Sequence, residues 1–170
     1  MSDSLQQITL AVEDPSHRKH DVQIILPMTY PEGLPQCQVA LPAKFDFSWE
    51  RRNTINNIYT KILDVLSKYD DVWSVLEDFD SHCIVLDPPK PTFEHSYRRI
   101  FLENQCSVYY TVNIEKPRSI GDWKFMGPPS EVDRFDQLIS KNMNQWYDFQ
   151  FIQFIQYLLI GIRDAFHGKI

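Results

Sequence analysis

The sequence predicts an α+β protein of two lobes, each an antiparallel β-meander packed on helices. Three observations carry that prediction. Short alternating runs come first and helical periodicity follows, the order expected when helices lie on one sheet face. The strand–strand–strand–helix–helix order then occurs a second time, a repeat of architecture without obvious sequence identity. Between the two copies lies "LDPPKPTFEHS" (86–96), whose prolines favour extended backbone and mark a stiff joint. The expected division is therefore 1–86 for the first lobe, 87–97 for the joint and 98–170 for the second lobe.

The first lobe opens on "LQQITLAVE" (5–13), which alternates with Ile8, Leu10 and Val12 on one face, the pattern of a half-buried strand. "DPSHRKH" (14–20) is a polar turn, and "DVQIILP" (21–27) and "CQVALP" (37–42) are the next two strands. Between them, Tyr30-Pro31-x-x-x-Pro35 withholds backbone donors where a sheet is being built. Ile55, Ile58, Tyr59, Ile62, Leu63, Leu66 and Tyr69 recur at helical spacing, with Asn53 or Thr54 as the cap. "DDVWSVLEDFD" (70–80) reads as a second, short helix with Val72, Trp73, Leu76 and Phe79 on one side.

In the second lobe, "RRIFLEN" (98–104) and "CSVYYTVNI" (106–114) form a hairpin around Glu103–Gln105. "DWKFMG" (122–127) is a short strand, and "EVDRFDQLISKN" (131–142) a helix with Val132, Phe135, Leu138 and Ile139 inward. Residues 147–166 form a final, very apolar helix.

Composition narrows the function. With 43% hydrophobic and 24% charged residues the chain is globular, and 14% aromatics imply a large core or a core plus an apolar contact surface. A net charge of −6 argues against nucleic acid as the main partner. Cys37, Cys83 and Cys106 are odd in number and far apart, without CxxC spacing, which fits reduced intracellular thiols and no zinc site. "MSDSLQQ" lacks the pattern of a signal peptide, and "FIQFIQYLLIGI" (151–162) is too short and too polar to span a bilayer. A soluble intracellular protein with no membrane partner is expected.

Catalytic patterns are weak. There is no P-loop, GxGxxG, HExxH or GxSxG. Asp70-Asp71 and Glu77-Asp78 read as solvated helix charge, and Arg98-Arg99 as a salt bridge or strand start before an anion site. Binding is the stronger reading. Ile84, Leu86, Ile120, Trp123, Phe125 and Met126 lie beside proline and glycine punctuation. Strand alternation puts Trp123 and Phe125 on one face and Lys124 and Met126 on the other, so these residues cannot all be core of one sheet face. The remainder marks a protein contact.

Tyr30-Pro31-x-x-x-Pro35, placed between the second and third strands and ahead of the helices, resembles the marker of the ubiquitin-conjugating (UBC) and RWD folds. An active conjugating enzyme also needs a nucleophilic cysteine and a His-Pro-Asn stretch upstream of it. No histidine here precedes a proline, and Cys83 falls after the helices, so thioester catalysis is not expected. "LDPPKP" (86–91), "RRIFLEN" (98–104), "KFMG" (124–127), "ISKNMNQW" (139–146) and "FSW" (47–49) together resemble the central double-RWD, or UBC-RWD, region of the Fanconi anaemia group L (FANCL) family of RING-type E3 ubiquitin ligases. The resemblance covers nearly the whole chain.

That resemblance implies a non-catalytic substrate-binding module. The whole ligase would monoubiquitinate the two-subunit ID complex in DNA interstrand crosslink repair. Its implied partners are the ID heterodimer, other core-complex subunits and, through the RING, a ubiquitin-conjugating enzyme. It implies a nuclear location, also cytoplasmic. No cofactor is expected in these residues, with zinc expected only in a RING and no RING expected within them. The helix that usually precedes the first strand is also expected to be missing. Carried over by motif, the family's hydrophobic patch falls on Ile84, Leu86, Ile120, Lys124, Met126 and about Gln137. Ile84, Lys124 and Gln137 stand where the family has a tryptophan, a phenylalanine and an isoleucine, so the expected patch is either smaller here or shifted toward Trp123, Phe125 and Leu138. Two rival readings are an RWD scaffold that interacts or dimerises outside DNA repair, and an active conjugating enzyme.

Overall fold

The structure is a computed structural model that describes residues 6–50, 52–102, 105–119 and 121–142. The described elements run β1 (Gln6–Glu13), β2 (Lys19–Leu26), β3 (Gln36–Val39), α1 (Ile55–His82), β4 (Val85–Asp87), β5 (Tyr97–Phe101), β6 (Ser107–Thr111), β7 (Asp122–Met126) and α2 (Pro129–Asn142). They form two antiparallel sheets, β1-β2-β3 and β4-β5-β6-β7, with helices, the α+β class expected. The apolar segment 147–166 and the Glu103 turn position lie outside the described residues.

Two expectations change. Residues 55–82 are one helix of 28 residues, not two. Its buried stripe runs unbroken through Ile58, Ile62, Leu66, Tyr69, Val72, Trp73, Leu76 and Phe79, and no glycine or proline interrupts it. The chain divides into compact units between Asp70 and Asp71, inside that helix, rather than at residue 86. Val85–Asp87 belongs to the second unit's sheet, while Thr92–Glu94 belongs to the first unit. A three-residue strand ending at a proline is too short to show periodicity, so the joint reading concealed β4.

In the first unit, β1 pairs with β2 and β2 with β3, with Leu10 opposite Val22 and Val22 opposite Val39. Val12, Val22, Ile24 and Leu26 join Ile58, Ile62, Leu66 and Tyr69 of α1 in the core. Each such fully buried side chain contributes about 1.5–3 kcal/mol. Thr54 caps α1: its N–H donates to Asn57 Oδ1 at 2.7 Å while the Asn57 N–H donates to the Thr54 carbonyl at 2.9 Å. The proline element is a looped turn. The Tyr30-Pro31 bond is cis, Glu32 and Gly33 N–H groups donate to the Thr29 carbonyl, and the Trp49 indole donates to the Pro31 carbonyl at 2.9 Å. The Tyr-Pro-x-x-x-Pro and Phe-Ser-Trp segments are thus joined by a hydrogen bond and by the Tyr30–Trp49 ring contact at 6.0 Å.

The second unit packs the end of α1 and α2 on one face of a four-stranded sheet. Ile100, Val108 and Phe125 lie opposite one another across β5, β6 and β7 and are buried with Tyr110, Phe79, Phe135 and Ile139. Phe79 meets Tyr110 at 5.1 Å and Phe125 stacks on Phe135 at 5.1 Å. Gly121 is required by close approach, since a Cβ there would lie 2.2 Å from the Thr111 carbonyl oxygen. Arg98 settles its sequence ambiguity as a salt bridge: Nε and one terminal nitrogen donate to the two Asp80 carboxylate oxygens at 2.6 and 2.7 Å.

Candidate functional site

The face of the second sheet that turns away from the buried core gathers exposed apolar side chains. Strand alternation sends Ile100, Val108 and Phe125 inward and so turns Phe101, Ser107 and Met126 outward. Phe101 is opposite Ser107 and Ser107 opposite Met126. The Phe101 N–H donates to the Ile84 carbonyl at 2.8 Å, which brings Ile84 to the end of the same row. Ile84 is 66% exposed, Leu86 43% and Phe101 39%, and Met126 is half-buried. Leu86 sits where the β4 register shifts, between Val85 and Asp87.

The next row is polar and aromatic. Arg99 is opposite Tyr109, and Tyr109 opposite Lys124. Arg99 Nε donates to Ser107 Oγ at 3.0 Å, and Tyr109 stacks on Tyr97 with centroids 4.9 Å apart. Burial and a hydrogen bond to the Asp87 carboxylate hold the Tyr97 phenol above its usual range, so it stays protonated and donates. The arrangement is an apolar strip bordered by cations and ring edges on a rigid sheet. It has the composition of a protein contact.

Of the residues singled out from sequence, Lys124 and Met126 share this face on β7, Ile84 lies at its β4 end, and Leu86 is exposed at the β4 register shift beside it. Phe125 does not share the face: it is 6% exposed and stacked on Phe135, so its place as a contact residue is corrected to core. Trp123 shares the Phe125 side of the sheet, opposite Tyr110, and is half-buried. Leu138, at 36% exposure, and the exposed Gln137 lie on α2, whose Phe135 packs on the core side, so neither joins the strip. Ile120 lies outside the described residues. Sequence reasoning missed Phe101. The signal was present in "RRIFLEN", where Phe101 alternates against Ile100 and Leu102.

The thiols offer no comparable site. Burial pushes the Cys37 thiol up to about 11, and burial with the Asp80 carboxylate does the same to Cys83. Burial also raises Cys106. Thiolate, the nucleophilic form, is disfavoured at all three. Cys37 lines an open groove of about 660 Å³ with Asp21, Lys44 and Glu94, and no histidine is among its lining residues. Among the described residues no group of three or more His, Cys, Asp or Glu side chains is placed to hold a metal ion.

Comparison with known proteins agrees with the two-unit division. The family model described as FANCL UBC-like domain 2 matches residues 1–69, and that described as FANCL UBC-like domain 3 matches residues 71–159. The chain belongs to the FANCL family. It is 28% identical to E3 ubiquitin-protein ligase FANCL of Mus musculus over 143 residues, which is 84% of this chain and 38% of the mouse protein. A crystal structure of FANCL shares the fold, with a TM-score of 0.60 at 16% identity over 88% of this chain and 42% of that one. The chain thus spans about two fifths of the length of these FANCL relatives. The boundary between the matched FANCL domains falls where the compact units divide, within α1.

Proposed function

We propose that this chain is the substrate-binding module of a FANCL-family E3 ubiquitin ligase, and that the outer face of β4–β7 seats the substrate protein. The observation that carries the proposal is the row of exposed Ile84 and Phe101 and half-buried Met126, the last two on either side of the small, buried Ser107, with exposed Leu86 beside the row, on a sheet whose other face is filled by core. In this reading the chain performs no thioester chemistry, which agrees with three thiols whose burial disfavours thiolate. It accelerates transfer by position: a target held on this face meets a conjugating enzyme recruited by a RING, and proximity replaces a bimolecular encounter. The substrate is the ID heterodimer of interstrand crosslink repair, the whole ligase monoubiquitinates it together with its core-complex partners, and the setting is nuclear and cytoplasmic. Zinc belongs to the RING of the whole ligase and not to this module.

The test is calorimetric titration of this chain with purified ID heterodimer, as wild type and as Leu86→Asp with Met126→Asp. Carboxylates placed in an apolar contact are expected to weaken binding by about 100-fold or more. The denaturant midpoint should be little changed, because neither residue is in the core. Equal affinity for both proteins would remove the assignment of this face.

A further inference from the structure

We infer that the partner surface seated on this face is acidic as well as apolar, and carries carboxylates that pair with Arg99 and Lys124. The inference rests on the substrate-binding reading above and deepens it by fixing the charge of the substrate's contact segment. The chain as a whole is acidic, with net charge −6, yet the row beside the apolar strip carries two cations. Arg18, Arg98, Arg118 and Arg134 each reach a carboxylate within this chain. Arg99 is exposed and its side chain donates to a neutral hydroxyl, that of Ser107. Lys124 is exposed on the edge strand β7, and among the described residues neither cation has an ion-pair partner.

The acids nearest in register do not answer them. Asp87 is opposite Arg99 but hydrogen-bonds the Tyr97 phenol, and Asp122 lies a further row away, opposite Thr111. Adjacent rows on one face of a strand are about 7 Å apart, and β5 to β7 spans two strand spacings, about 10 Å. Any surface broad enough to cover Phe101 and Met126 therefore strips water from Arg99 and Lys124. Desolvating a charge without a partner opposes binding, whereas a matched carboxylate restores it. The partner thus presents apolar side chains toward Ile84, Phe101 and Met126 and two carboxylates about 10 Å apart, the separation of two turns on a helix.

The experiment titrates this chain with purified ID heterodimer at 50 and 300 mM NaCl, as wild type, Lys124→Glu and Arg99→Glu. Each reversal is expected to raise Kd about tenfold or more at low salt, and the wild-type Kd to rise several-fold with salt. Reversals within about twofold of wild type and a salt-independent Kd, with Leu86→Asp/Met126→Asp still weakening binding by about 100-fold or more, would overturn the inference and leave the substrate-binding reading intact. No binding by the wild-type chain would overturn both. Displacement of the heterodimer by single-stranded DNA would also overturn it, since the cations would then serve phosphates. Were a reversal to unfold the chain, the wild-type salt series alone decides: a flat series rejects the acidic partner.

Discussion

Asp14→Ala is expected to destabilise the first unit by about 3–5 kcal/mol, the cost of removing one member of a buried charged network. The Asp14 side chain is 0% exposed, and its oxygens serve four donors or partners. The N–H groups of Ser16 and Arg18 donate to Oδ1 at 3.0 and 2.9 Å, the Arg18 guanidinium donates to Oδ2 at 2.9 Å, and His20 Nε2 lies 3.1 Å from Oδ2. The carboxylate therefore fixes the β1–β2 turn and balances the guanidinium that also reaches Asp70 at 2.9 Å. Burial raises the Asp14 pKa, but the His20 and Arg18 hydrogen bonds outweigh it and hold the carboxyl below its usual range. A depressed folded-state pKa contributes stability that is full above the unfolded value, about 4, and is lost as pH falls through the folded value. Denaturant unfolding should show wild-type stability falling below about pH 4 and a flatter profile for Asp14→Asn over that window. Equal slopes would show that the network does not depend on the charge.

Asp80→Ala is the second large effect, and it should exceed Arg98→Met. The Arg98 side chain is 4% exposed and lies on the core side of β5, whereas Asp80 is 31% exposed at the end of α1. Removing Asp80 leaves a buried guanidinium without its bidentate partner, for about 3–5 kcal/mol. Removing Arg98 leaves a carboxylate that can turn to water, while methionine refills the apolar space, so the loss is smaller. Urea unfolding of both variants checks the order. A larger loss for Arg98→Met would mean that the guanidinium's packing, not its charge pairing, holds β5 to α1.

The α+β class and seven of the nine described elements were legible because alternation and helical spacing are local signals. β1, β2 and the hairpin strands show period two over at least five residues, and α2 carries Phe135 and Ile139 at helical spacing. Two features were not legible. β4 is three residues long and ends at Asp87, just before Pro88, so it offers no period to read. The unit boundary inside α1 has no local mark, because a continuous apolar stripe serves both units and composition does not change at Asp70. At the site, alternation alone separated Lys124 and Met126 from Phe125. It could not say which face was covered, since that depends on α2 packing Phe135 against Phe125. Phe101 went unnoticed because a phenylalanine among Arg99, Ile100 and Leu102 looks like core until the register opposes it to Ser107 and Met126.

The central claim is that the outer face of β4–β7 holds a protein substrate. Hydrogen–deuterium exchange on this chain, alone and saturated with purified ID heterodimer, tests it most directly. The account predicts slowed exchange in the edge strands Val85–Asp87 and Asp122–Met126 and around Phe101, with Pro129–Asn142 unchanged. Protection confined to α2 or to the first unit, with β4 and β7 unaltered, would contradict it.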